Sequence, residues 1–287
     1  MVNGIDVSQW QGVMDWEKAL SAGVQFAFIR ATFGRERDVQ FARNWAETKR
    51  LGIPRGAYGW VIHRANQPAN AGLFIDILGD DHGELPPVVD FEWHGPLVNR
   101  QMPNFSELRA YITRVEELDG RVPIIYSSTG YWRALPNGDT QTWVARYPYW
   151  HAQYTRAATP VIPRVFPDWT FWQWSADGNG RGAEFGARSR DICLDRFNGD
   201  ITDFQQFMGA EVTVPPAPIA RYVRVLSTWL RFRSKPSLYD GDTLVVGQGV
   251  RLRVTGDPVI TDVTYWPVEL DGYDGYVSAG RNFTEPV

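Results

Sequence analysis

In PPVVDFEWHG, residues 86–95, two carboxylates stand one residue apart, Asp90 and Glu92, at the end of a β-branched run. Side chains alternate along a strand, so the two acids share one face while Phe91 takes the other. A like charge nearby raises a carboxyl pKa, and one member of the pair can then keep its proton near neutral pH and act as a general acid. Glycosidic bond cleavage uses such an acid on the leaving oxygen and a second carboxylate at the oxocarbenium-like carbon. Glu92, longer and further out, is assigned the acid, and Asp90 its charged neighbour. Side-chain rotation brings such a pair through both the retaining and the inverting separations, so the stereochemistry stays open. The purely structural alternative is a salt bridge from Arg30 or another cation to one of the two.

Acids at a strand end need a scaffold that gathers strand ends. The strand candidates are VNGID (2–6), QFAFIRAT (25–32), RGAYGWV (55–61), PVVDF (87–91), VPIIYSS (122–128), TWVARY (142–147), WTFWQWS (169–175) and DICLDRF (191–197). Helical patterns separate the first five and stop at Gly23, Gly52, Gly79 and Gly120, with Ser106 as the expected N-cap of the fourth. Strand and helix in alternation imply parallel strands with right-handed crossovers. After the fifth strand the helical patterns thin out. The fold class expected is α/β: an irregular β/α barrel with an incomplete helical ring over residues 1–208. A Pro-rich linker follows at 209–220, then a small all-β, SH3-like barrel at 221–287.

In a β/α barrel, catalytic groups collect at the carboxyl ends of the strands. Those ends supply Asp6, Arg30, Tyr58, Trp60, Asp90, Glu92, Tyr126, Trp172, Gln173, Trp174, Asp191 and Asp195. Acids and aromatics together suit a carbohydrate cleft. Taken alone, Asp6 would cap the loop before the first helix. His63, His82, His94 and His151 lack metal-ligand spacing, which leaves them surface or loop roles, and no catalytic metal or cofactor is expected. No G-x-S-x-G occurs, so a serine nucleophile has no support.

Composition narrows the partners. The 287 residues carry a formal net charge of -4, too little basic character for a nucleic-acid partner. The tail from 221 is neutral by count of its charged residues. Cys193 is the single cysteine, which excludes an internal disulfide. No apolar run is long enough for membrane insertion, and MVNGIDVSQW has no export-signal pattern.

GIDVSQWQG, FAFIRATFG, GIPRGAYGW, LPPVVDFEW, PIIYSS, WVARY and WTFWQWS together resemble glycoside hydrolase family 25, the Ch-type lysozymes. The resemblance implies hydrolysis of the β-1,4 bond between N-acetylmuramic acid and N-acetylglucosamine, with bacterial peptidoglycan as the substrate. It carries the family's acids to Asp6, Asp90 and Glu92, with Glu92 as proton donor, and implies that the substrate's acetamido group can serve as nucleophile. Two positions depart from the family pattern. CLDRFNG places Cys193 where an acid is usual, so Asp195 or Asp191 is expected to take over; Gly59 and Trp60 stand where His and Phe are common, which should change a wall of the cleft. In the tail, WLRFRSKPS and YWPVELDGYDGYVSA are similar to bacterial SH3-like wall-binding domains, with Trp229, Tyr239, Trp266 and Tyr273 as candidate wall contacts. The combination resembles a bacteriophage endolysin made in the host cytoplasm and released to the wall. A non-catalytic peptidoglycan binder and a chitinase-like barrel are the alternatives, the latter needing acids at Leu85 and Val88. Oligomeric state is open.

Overall fold

Eight strands close into a barrel: β1 (Val2–Val7), β2 (Phe26–Phe33), β4 (Arg55–Trp60), β5 (Val88–Asp90), β6 (Ile124–Ser128), β7 (Tyr149–Ala152), β8 (Phe171–Ser175) and β9 (Cys193–Phe197), with a two-residue β3 (Glu36–Arg37) beside β2. This computed structural model describes residues 1–94, 101–209, 222–236, 243–255, 259–260, 264–270, 273–279 and 284–286. Pairing runs β1-β9-β8-β7-β6-β5-β4-β2 and closes through β1 with β2. All barrel pairings are parallel except those of β9, which is antiparallel to both β1 and β8.

Alternation builds two layers from each strand. Inward residues such as Val2, Phe26, Phe28, Val88, Ile124, Trp150, Phe171 and Phe197 fill the barrel. Outward ones such as Ile5, Ile29, Ala57, Val89, Phe91 and Ile125 pack under the helices. Those are α1 (Trp16–Ser21), α2 (Phe41–Arg50), α3 (Gln67–Leu78), α4 (Phe105–Asp119) and the short α5 (Thr129–Ala134); among the described residues, the connections from β7 to β8 and from β8 to β9 contain no α-helix, only loops, turns and 3-10 segments. A final helix, α6 (Ile201–Phe207), follows the reversed strand β9 and so lies at the opposite end from the acids. Its Phe204 meets Phe26 and Phe197 and closes the barrel floor.

Four expectations need correction. The sixth strand is YWHA at 149–152, while residues 142–146 form a 3-10 helix. The N-cap of α4 is Asn104, whose side chain accepts from the Ser106 and Glu107 amides while Glu107 accepts from the Asn104 amide. His151 is fully buried on the outward face of β7 beside the Tyr149 hydroxyl, and burial lowers its pKa to about 4, so it is a neutral core residue. Gly59 faces outward, where a Cβ would fall 2.4 Å from the Tyr111 hydroxyl; the helix layer, and not the cleft, requires glycine there.

The chain forms two compact units, 1–210 and 211–287. The second unit is built, among its described residues, from strands β10 (Tyr222–Val225), β11 (Leu230–Arg233), β12 (Thr243–Val246), β13 (Arg251–Val254), β14 (Val259–Ile260), β15 (Thr264–Leu270), β16 (Tyr273–Ser278) and β17 (Thr284–Pro286). Their pairings are antiparallel. Its core is Val223, Val225, Leu230, Phe232, Val246, Leu252, Val268 and Val277, with Trp266 packed against it. Trp229 is 77% exposed. Tyr239 and all of the linker but Gly209 lie outside the described residues, as does the side chain of Tyr273.

Candidate active site

At the carboxyl ends of the parallel strands the inward positions change from apolar to polar, and a cavity of about 260 Å³ opens. Asp6 from β1, Arg30 from β2, Tyr58 and Trp60 from β4, Asp90 and Glu92 from the end of β5, Tyr126 from β6 and Gln173 from β8 all line it. The strand stops at Asp90, yet Phe91 still turns into the outer core and Glu92 returns to the cavity, as period-two alternation requires. Ser8, Trp10, Gln11, Trp150, Tyr154 and Cys193 complete the lining.

Burial dominates the electrostatics. Asp90 is 4% exposed, and its pKa is raised well above the usual carboxylate range by burial, then by Glu92 and Asp6. Asp90 Oδ1 has no hydrogen-bond partner among the described residues, consistent with an acid that holds a proton. Burial thus favours the protonated form of Asp90, whereas the sequence alone suggests a charged neighbour for Glu92. Arg30 Nε binds Asp38 Oδ2 at 2.8 Å in a buried pair, and its charge lowers the Asp90 pKa less than burial and the neighbouring acids raise it. Asp38 also accepts from the Gln9 and Gln40 amides, which ties the β1 and β2 loops together.

Asp6 is not a loop cap: Ser8 caps the following 3-10 turn and Asp15 caps α1. Its Oδ2 accepts from Gln173 Nε2 at 2.6 Å. Burial pushes the Asp6 pKa up to about 6, against hydrogen bonds from Gln173, Asp195 and Cys193 and the charge of Arg30. Asp195 lies one inward position deeper on β9 than Cys193; it is 1% exposed, and Trp150 Nε1 donates to its Oδ1 at 2.9 Å. Burial and then Asp6 raise the Asp195 pKa well above the usual range. Asp191 precedes β9 and is exposed, so Asp195 is the acid that approaches Asp6, from beneath the cavity.

Trp172 and Trp174 are not brought to this cavity. They flank Gln173 on β8 and so point outward: Trp172 is buried, with its Nε1 donating to the Gln153 carbonyl, and Trp174 lies under the Arg196 guanidinium. Trp174 instead lines an adjoining cleft with Tyr154, Arg156, Asp177 and Asn179. On the other side, Trp10 and Arg30 also border a hollow with Phe33, Glu36 and Arg37. The acid cavity thus sits between two further depressions, sharing a wall with each. Trp150 and Tyr154 escaped the sequence reading because strand six was placed too early; the alternation of YWHA was the available signal. Among the described residues, no group of three His, Cys, Asp or Glu side chains could hold a metal ion.

The sequence model of Glycosyl hydrolases family 25 matches residues 5–183. Lysozyme M1 of Streptomyces globisporus is 35% identical over 210 residues, covering 69% of this chain and 68% of that protein. An N,O-diacetylmuramidase of Arthroderma benhamiae is 27% identical over 217 residues, covering 72% and 86%. Among solved structures, the bacterial lysozyme from Streptomyces coelicolor matches with a TM-score of 0.60 at 30% identity, covering 72% of this chain and 96% of that one. A family 25 glycosyl hydrolase from Bacillus anthracis has the same fold, with a TM-score of 0.60 at 24% identity over 72% of this chain and 93% of that one. With its acids gathered at the strand ends of this barrel, the chain belongs to glycosyl hydrolase family 25 and is a lysozyme-type glycoside hydrolase.

Proposed function

We propose that the chain hydrolyses the β-1,4 bond between N-acetylmuramic acid and N-acetylglucosamine in peptidoglycan, with Glu92 as general acid. The observation that carries this reading is the convergence of Asp6, Asp90 and Glu92 in one aromatic-walled cavity flanked by two further depressions, a layout suited to a polymer. Burial, then the charges of Glu92 and Asp6, raise the Asp90 pKa and favour a proton on Asp90 in the free site. A sugar laid over Glu92 strips water from that carboxyl and draws the proton outward. Glu92 gives this proton to the glycosidic oxygen as the bond to the anomeric carbon breaks and its electron pair stays with the leaving sugar. Attack by the substrate's acetamido oxygen forms a ring that water then opens, whereas direct attack by water gives the hydrolysed sugar in one step; the anomeric configuration of the product separates the two. In the first route the attacking water gives its proton back to Glu92; in the second its proton passes to a carboxylate on the opposite face and Glu92 is reprotonated from solvent, and in both the hydroxyl goes to the anomeric carbon.

The second unit serves in this reading as an SH3-like wall anchor, with exposed Trp229 as its leading contact. Trp266 contributes to the core that holds the module together. The pairing of hydrolase and anchor supports a bacteriophage endolysin, made in the host cytoplasm and acting on the wall after release.

Digestion of purified peptidoglycan, followed by borohydride reduction and mass spectrometry, tests the activity. Reduced muramic acid ends should appear with the parent protein and fall at least ~10²-fold with Glu92→Gln, while wall binding and circular dichroism stay unchanged. Reduced glucosamine ends, or undiminished turnover by Glu92→Gln, would overturn the bond assignment or the acid assignment respectively.

A further inference from the structure

The Gln173 carboxamide has its direction fixed from behind. The hydroxyls of Tyr126 and Tyr154 both donate to Oε1, at 3.0 and 2.8 Å, so the NH2 group is the end that meets Asp6 Oδ2. The reverse orientation would set a carbonyl oxygen against the Asp6 carboxyl, which is tolerable only if Asp6 is protonated. Asp195 lies beneath Asp6, one inward position deeper on the neighbouring strand β9, and two carboxyls so placed bond to each other only when one carries a proton. Trp150 occupies Asp195 Oδ1, which leaves the proton for Oδ2, a buried atom with no other partner among the described residues.

We propose that Gln173 and Asp195 are positioning residues that act through Asp6: the carboxamide, keyed by Tyr126 and Tyr154, and the protonated carboxyl, keyed by Trp150, hold Asp6 as an oriented anion above the barrel core. Gln173 is then not a sugar contact but part of the device that separates two buried acids into an anion at Asp6 and a neutral acid at Asp90. The separation matters because both aspartates are buried, and donors at Asp6 favour the charge there and leave the proton to Asp90. The consequence for turnover rests on the hydrolase reading; the geometry of the device does not.

Carbon-13 NMR titration of carboxyl-labelled aspartate, with Asp6→Asn used for assignment, reads the effect directly and requires no turnover. In the parent protein Asp6 should titrate near 6. In Gln173→Leu its titration should move up by about 1 pH unit, because a bond to the charged form is lost. Tyr154→Phe, at a half-exposed position, should move it the same way by less and provides the test should Gln173→Leu fail to fold. In peptidoglycan turnover the acid limb of the pH profile should shift upward with kcat lowered and KM unchanged. An unshifted Asp6 titration in a folded Gln173→Leu overturns the proposal, as does a raised KM with an unmoved acid limb, which would make Gln173 a sugar contact. If the parent protein shows the Asp6 shift but no cleavage of the polymer, the hydrolase reading fails and this one stands.

Discussion

At Asp90, folding and chemistry make opposite demands. An aspartate in the unfolded chain ionises near 3.9. In the fold, burial and neighbouring acids raise the Asp90 and Asp195 pKa values well above that, and burial alone raises Asp6 to about 6. Between those limits the native state binds more protons than the unfolded state, so stability falls as pH rises. The contribution is complete below about pH 4 and is lost as pH climbs through the folded values. Asp90→Asn mimics the neutral acid and should raise the Tm of the barrel at pH 7 by about 2–4 °C, with the gap closing as pH is lowered to 5. A calorimetric Tm at or below that of the parent at pH 7 would show that the site carries no such strain. The acid pair itself was readable because alternation alone fixes its common face, and the same rule was enough to exclude Trp172 and Trp174 once Gln173 was placed inward. The proton's location was not readable, because it depends on the depth of a carboxyl in the barrel and on which cation is already engaged; Arg30 belongs to Asp38, a residue whose role no spacing announced.

Helix α4 shows how one element reaches the rim from outside the barrel. Its Asn104–Glu107 capping box closes the helix start, and Glu107 also binds His63 Nδ1 and the Arg64 amide, fixing the loop that follows β4. His63 in turn donates its amide to His94 Nε2 at 3.0 Å, two residues beyond Glu92. Asn104→Ala removes the acceptor for two amides and should cost about 1 kcal/mol, lowering the Tm by about 2–4 °C. Because Glu107 remains, kcat at 25 °C should stay within about twofold of the parent; a larger fall with unchanged Tm would mean that the cap acts on the site and not on the helix. At this scale the sequence is a good guide where strands are followed by helices, since the glycine stops, the apolar stripes and five of the eight strands lie in that pattern. It fails where that rhythm ends. TWVARY carries the β-branched signal but forms a 3-10 turn, and YWHA forms the strand without a β-branched residue because its Tyr149 and Trp150 are held by the outer and inner cores. The reversal of β9 is set by closure against β1 and β8, a long-range choice with no local mark.

On the scale of the whole chain, the two units can be argued apart because each has a core of its own. The first contains the acids, the aromatic walls and the floor closed by α6, and the described lining of its cavity comes from its own strands and loops. The second is, among its described residues, a sheet of short antiparallel strands with an exposed tryptophan. A protein consisting of residues 1–209 should therefore cleave short soluble muropeptide oligomers with kcat/KM within about threefold of the full chain. On intact walls the same fragment should lose activity by 10-fold or more, as tethering raises the local concentration of an enzyme on a polymer. Residues 211–287, expressed alone, should sediment with walls, and Trp229→Ala should weaken that binding without lowering the Tm, since the ring is 77% exposed. Equal activity of the fragment and the full chain on intact walls would make the second unit a spacer, and loss of activity on soluble oligomers would mean that the barrel depends on it after all.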